Sequence, residues 1–297
     1  GWARAFETAG GNYYPKLQIA VPFTPAPGPR LLVHPNAPPE TATVLADALR
    51  QICGQLQLSS AHVTFCTTQN STTLSQRGWL PRLGMQYHWH NNGYQTFDDF
   101  LAALSSRKRK VLKRERRDAN AAGLTFETLR GPDITPADWD AFYQFYQNTI
   151  DRKWGSAYLT RSFFSLLSEK LGERVVLMVA RHGPQPVAAA LNLVGTDTLY
   201  GRNWGCVGTW PFLHFELCYY RAIEFAIANG LKRVEAGAQG EHKIQRGYTP
   251  SLTHSAHWIE NPSFRASVAA FLEQERSAIQ QEAQALTALS PYKQEQE

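Results

Sequence analysis

Apolar residues recur at helical spacing in some windows of this chain and at strand spacing in others. Val44, Leu45, Ala48, Ile52 and Leu56 share one side of a 3.6-residue period, which predicts a helix over residues 38–56. Phe97, Phe100, Leu101, Leu104, Val111 and Leu112 form a second apolar stripe and predict one helix over 96–123. Thr96 is placed to cap it, Asp99 to reach back, and Gly123 to end it in the left-handed conformation. Further helices are expected over 136–150 and 161–171, from Pro211 to the stop at Gly230, and from Asn261-Pro262 onward. Strand signals fall at 62–67, 86–89, 124–129, 174–181, 186–194, 198–205, 232–236 and 253–259. Residues 14–33 read as extended chain, broken by prolines at 22, 25, 27 and 29.

From residue 124 the order is β, α, α, β, β, β, α, β, then an irregular segment and a last strand. That order predicts a mixed α/β (α+β) fold whose central sheets are largely antiparallel. The first 95 residues repeat the back half of the same unit, as strand, helix, strand, strand. The expected division is therefore 1–95 as part of a first lobe, 96–262 as a complete second lobe with a basic helix at 96–123, and 263–297 as a C-terminal helix and tail.

Composition narrows the classes. Hydrophobic residues make up 43% of the 297 and charged residues 19%, enough for packed cores and against wholesale disorder. No apolar run reaches the ~18 residues of a membrane span, and no signal peptide is visible, so a cytoplasmic protein is expected. The chain opens Gly-Trp-Ala-Arg without an initiator Met, as if it began inside a longer protein. Cys53, Cys66, Cys206 and Cys218 form no CxxC pair, which fits reduced thiols and gives no zinc site. His88 and His90 share a strand face but have no third ligand, so no metal is expected.

Charge is concentrated. Residues 107–117 hold eight Lys or Arg against one Glu, more positive charge than the whole chain's net of +5. On a helix, Arg107, Lys110, Arg114 and Arg117 line one face, with Arg109, Lys113 and Arg116 beside them. Such a surface suits a polyanion, such as the phosphates of an RNA or of a nucleotide-linked precursor. A solvated face partly balanced by Glu115 and Asp118 is the plainer reading.

Five stretches carry a family resemblance: YYPKLQIAVPFTPAPGPRLLV at 13–33, FDDFLAALSSRKRKVLKRERR at 97–117, ALNLVGTDTLYGRNWG at 190–205, PFLHFELCYYRAIEFAIANG at 211–230 and VEAGAQGEHKIQRGYTP at 234–250. Together they resemble the FemAB-like group of acyltransferases, which pairs two lobes of the GNAT fold and is associated with peptidoglycan biosynthesis or recognition. The resemblance implies tandem GNAT-like lobes, with the first incomplete here because the family is normally longer at its N-terminus. It implies acyl or aminoacyl transfer to an amine-bearing acceptor, of which a peptidoglycan precursor is the family's example. Aminoacyl-tRNA or acyl-CoA would be the co-substrate, with no tightly bound cofactor. The alternative is a non-catalytic GNAT-like module that binds a cell-wall precursor or RNA.

The same resemblance points to site residues. In Fem transferases a Lys precedes an aromatic-glycine turn; the similar piece here is Glu241-His242-Lys243-Ile244-Gln245-Arg246-Gly247-Tyr248, with His242 where an aromatic is usual. Lys243 is the position the resemblance carries over; Glu216, set among Phe212, Phe215, Leu217 and Tyr219, and Glu241, in the polar stretch around Gly237 and Gly240, join it as the expected catalytic residues on their surroundings. Acyl transfer needs a base for the amine and a donor for the developing oxyanion, and these residue types supply both. Tyr200, Arg202, Trp204, Glu235, Gln239, His242 and Arg246 are expected to bind substrate, and Arg107, Arg109, Lys110, Lys113, Arg114 and Arg117 a polyanion. Residues 202–207 are a near miss of the acyl-CoA pyrophosphate loop, with Val207 where a small residue belongs.

Overall fold

The computed structural model describes residues 1–297 other than 153–155, 238–239 and 294–297. In chain order the elements are α1 (Trp2–Thr8), β1 (Leu17–Ile19), α2 (Thr41–Gln55), β2 (Ser60–Cys66), α3 (Thr68–Gln76), β3 (Leu80–His90), α4 (Phe97–Ala103), α5 (Ser106–Asn120) and β4 (Leu124–Arg130). They continue with α6 (Pro136–Arg152), α7 (Arg161–Leu171), β5 (Val175–His182), β6 (Gln185–Val194), β7 (Thr198–Cys206) and α8 (Leu213–Phe215). A π-helical segment (Glu216–Tyr220) joins α8 to α9 (Arg221–Ala228). Then come β8 (Arg233–Glu235), a 3-10 helix (Glu241–Arg246), β9 (Thr249–Ile259) and α10 (Pro262–Ala288). None of these helices is long and apolar enough to cross a membrane.

The fold is mixed α/β. Two compact units are defined by their contacts: Gly1–Gln86 with Pro250–Ala288, and Tyr87–Thr249 with Leu289–Glu297. The division falls at 86/87 rather than 95/96, and residues 250–288 pack with the first unit. The cause is β9, which pairs antiparallel with β2 and places Ala256 and Trp258 in one core with Ala61, Val63, Leu74 and Trp79. Two short helices of the first unit, α1 and α3, were not predicted; Thr67 caps α3 by accepting from the Asn70 amide.

In the second unit the strands run in the order β3-β8-β7-β6-β5-β4. All neighbours are antiparallel except β7 and β8, which are parallel. α6 and α7 bury Trp139, Phe142, Phe145, Tyr146 and Phe164 against Val175, Leu177, Val179, Ala189 and Leu191. The close fit of α6 on β7 depends on Gly205, where a Cβ would lie 2.1 Å from the Phe145 carbonyl oxygen.

The predicted helix over 96–123 is two helices. Its start is as expected: Thr96 accepts from the Asp99 amide at 3.1 Å, and Asp99 Oδ2 accepts from the Thr96 amide at 2.8 Å. The break comes because Leu104 turns extended to bridge Tyr292, while the Ser105 amide donates to Pro291 at 2.9 Å and the Lys293 amide to Ala103 at 3.0 Å. A contact from the far end of the chain thus overrides helical periodicity.

The first unit also buries a histidine pair. His62 and His257 meet through their Nδ1 atoms at 2.7 Å, and His62 Nε2 is 2.8 Å from Ser60 Oγ. Burial pushes the His62 imidazolium down to about 4, and burial with His62 beside it holds His257 low as well. The unfolded chain binds protons near pH 6.5 that the folded one refuses until about 4, so stability should fall as pH drops through that window. Denaturant midpoints measured from pH 7 to 4 should decline, and decline less in His62→Gln; a flat native profile would contradict this.

Candidate active site

Two buried ionic clusters fix the geometry of the second unit, and both start on α5. Glu115 is 5% exposed and receives Arg246 on both oxygens, Nη2 to Oε1 at 2.8 Å and Nε to Oε2 at 3.2 Å. The Tyr220 hydroxyl donates to the same Oε2. Arg246 also donates to the His242 carbonyl at 2.8 Å and lies 3.4 Å over the Phe215 ring. One helical step on, Arg116 donates to both oxygens of Glu216, at 2.9 and 3.0 Å, and to Glu224. Arg221 Nε stands 3.1 Å from Glu216 Oε1.

These clusters correct two assignments, and a separate contact narrows a third. Glu216 is completely buried with both oxygens engaged by arginine, so it anchors α5 to the π-helical segment and is not a base. Arg246 likewise is spent on Glu115 and the His242 carbonyl rather than on substrate. Arg109 is half-buried and donates to the Leu104 carbonyl at 3.2 Å, which separates it from the polyanion set. The others of that set, Arg107, Lys110, Lys113, Arg114 and Arg117, are exposed along α5.

Lys243 lies in the 3-10 helix between Gly240 and Gly247, which adopt φ of 101° and 91°. The second glycine is required twice over, because a Cβ there would meet the Phe100 ring at 2.7 Å. Lys243 is 5% exposed; its Nζ donates to the Ala236 carbonyl at 2.6 Å, just past the end of β8, and sits 5.7 Å over the Tyr87 ring. His242 is exposed, with Nε2 3.0 Å from the Tyr219 hydroxyl. Partial burial, then Arg246 and Lys243, keep its imidazolium below the usual range. Gln239 and the Glu241 side chain lie outside the described residues.

The sheet parts beside Lys243. β7 and β8 are paired from Thr198↔Arg233 to Tyr200↔Glu235. After Glu235 the chain follows β3, with the Tyr87 amide donating to Gly237 and the Ala236 amide to Tyr87, while β7 runs on to Cys206. A register shift in β7 sets Asn192 opposite Gly201 and Leu191 opposite Asn203, so Arg202 is the extra residue of a bulge. Tyr200 pairs Leu193 and Trp204 pairs Ala190; the bulge therefore puts them on opposite faces, where simple alternation through Arg202 predicts one. Tyr200, Glu235 and His88 are register neighbours on one face. Trp204 is on the other, its ring 5.0 Å from His214, which leads to Phe215, Tyr219 and His242. Residues 202–206 lie within the strand, so they are no phosphate-cradling loop.

The second unit thus has a parallel strand pair that opens, a bulge in the first of the two strands, and the α8–α9 segment between them in sequence. The chain belongs to the FemAB-like family, whose model, described as peptidoglycan biosynthesis/recognition, matches residues 1–294. No curated protein matches the sequence. Among solved structures, L-PGS from Bacillus licheniformis is similar in fold, at 10% identity over 77% of this chain and 78% of that one, with a TM-score of 0.54. FemX is similar at 12% identity over 77% of this chain and 79% of that one, with a TM-score of 0.53. The C-terminal domain (DUF2156) of an Agrobacterium fabrum protein assigned as a lysylphosphatidylglycerol synthetase gives 11% identity, 79% and 78% coverage, and a TM-score of 0.54.

Removing one partner of the Glu115–Arg246 pair leaves a buried charge alone. Glu115→Ala should therefore cost about 3–5 kcal/mol of stability in chemical denaturation. A loss within roughly 0.5 kcal/mol, the usual range for surface changes, would show that the pair anchors nothing.

Proposed function

We propose that this chain is an acyltransferase that moves an acyl or aminoacyl group onto an amine. The observation that carries the reading is Lys243: a buried ammonium, held by the Ala236 carbonyl, at the point where β7 and β8 part. An amine attacking an ester or thioester carbonyl builds negative charge on the carbonyl oxygen. A fixed cation in a low-dielectric site stabilises that charge without reorganising. The family description supports a peptidoglycan precursor as the acceptor.

Of the two donors, aminoacyl-tRNA is favoured over acyl-CoA. The exposed Arg107, Lys110, Lys113, Arg114 and Arg117 suit an RNA backbone, and the segment that most resembles a pyrophosphate loop is strand instead. The donor enters and leaves as a co-substrate, in the cytoplasm where charged tRNA resides.

Incubation with a charged tRNA pool or with acetyl-CoA, plus a UDP-linked muramyl pentapeptide bearing a free side-chain amine, should consume one donor and yield the amide. Lys243→Ala should then lower kcat by ~10²-fold or more. Turnover that persists undiminished in that variant removes Lys243 from the chemistry. A native protein that binds the precursor or tRNA but transfers nothing supports the binding-module alternative. Replacing Arg107, Lys110 and Arg114 together by Ala should weaken tRNA binding and reduce its log–log salt slope by roughly 2–3. An unchanged slope would place the RNA elsewhere.

A further inference from the structure

Glu115, Glu216 and Glu235 are the buried glutamates of the second unit among the described residues, at 5%, 0% and 4% exposure. The first two have both oxygens held by arginine or tyrosine. Glu235 differs. Its Oε1 has one ion-pair partner, Arg233 Nε at 3.1 Å, which stands off the ideal hydrogen-bond direction, so Glu235 lacks the two-oxygen clamp of the other two. His88 Nε2 is 3.9 Å from Oε2, beyond hydrogen-bond reach. Burying a carboxylate with so few well-aligned hydrogen bonds costs stability, and such groups persist where chemistry uses them.

Its place in the sheet says what it could do. Glu235 ends β8 at the point of parting, in one row with Tyr200 of β7 and His88 of β3. Gly201 keeps the strands close up to that point, since a Cβ there would come 3.3 Å from the Glu235 carbonyl. The row faces away from the side that carries Trp204. We propose that Glu235 is the general base that takes a proton from the acceptor amine, approaching from the Tyr200 face of the opened strand pair. This rests on the transferase reading above.

The groups around it fit that role. Burial first, against the pull of Arg233 and with Asp197 adding to the rise, pushes the Glu235 carboxyl up to about 7. His88 is kept neutral, pushed down to about 3 by burial and then by Arg233, His90 and Lys243. Glu235 accepts one proton from the acceptor ammonium, which frees the nitrogen lone pair. The N–C bond forms as the ester C–O bond, or thioester C–S bond, breaks. The second nitrogen proton goes to the departing oxygen or sulfur, and Glu235 returns its proton to water.

The test is the pH profile of kcat and KM for native protein, Glu235→Gln and Glu235→Asp, with the tRNA or acetyl-CoA donor and the muramyl pentapeptide acceptor. Native rates should fall on the acid side with a midpoint near 7. Glu235→Gln should lose ~10²-fold or more in kcat with little change in KM, and lose the acid limb. Glu235→Asp, which keeps a carboxylate with shorter reach, should recover part of the rate and the limb. If Glu235→Gln keeps the native rate and limb, or both variants differ from native only in KM, the assignment falls while the transferase reading stands. A native protein that turns over neither donor overturns both.

Discussion

The Glu115–Arg246 pair holds the second unit in its working shape. Arg246 closes the short 3-10 helix that carries Lys243, and its guanidinium also ties down the His242 carbonyl and covers Phe215. Glu115 belongs to α5, whose outer side is a row of exposed cations. One buried bidentate contact thus couples the basic surface to the loop at the end of β8. Arg116 and Glu216 repeat the device one residue along the helix, against the π-helical segment. Such pairs contribute little net stability over apolar packing, but breaking either one strands a charge. They specify position.

With those anchors set, the sheet can open. β8 leaves β7 after Glu235, and the bulge at Arg202 turns the strand so that its two ends present different faces. Tyr200 and Glu235 stand on one side, Trp204 and the ring cluster of His214, Phe215, Tyr219 and His242 on the other. Lys243 reaches the opening from the end of β8. In the proposed transfer, two substrates that meet at one carbonyl carbon would approach such a gap from opposite faces, with the ammonium beside the oxygen that gains charge.

The order of elements from β4 to β8 was legible because each carries its own hydrophobic period and turn residues. The capping box at Thr96 and Asp99 was legible for the same local reason. What failed was non-local. Leu104 leaves its helix for a bridge to Tyr292, and β9 joins the first unit through β2, contacts no window of sequence contains. The site shows the same divide. Lys243 was singled out by resemblance alone; the structure shows it buried, its Nζ on the Ala236 carbonyl just past β8. Glu216 and Arg246 looked like chemistry because they are charged residues in apolar or glycine-rich surroundings, yet each has a partner about 100 or more residues away that uses it up. Glu115 was readable only as a lone acid in a basic run. The bulge at Arg202 left no signal in strand alternation.

The central claim is that transfer occurs where β7 and β8 part, beside Lys243. A structure of the protein with a hydrolysis-resistant amide analogue of aminoacyl-adenosine tests it most directly. The account predicts the acyl carbonyl oxygen within about 3 Å of Lys243 Nζ, a hydrogen-bond distance, with the Tyr200 face open to the amine. An analogue that binds with its carbonyl away from the opened strands, out of reach of Lys243, would contradict it.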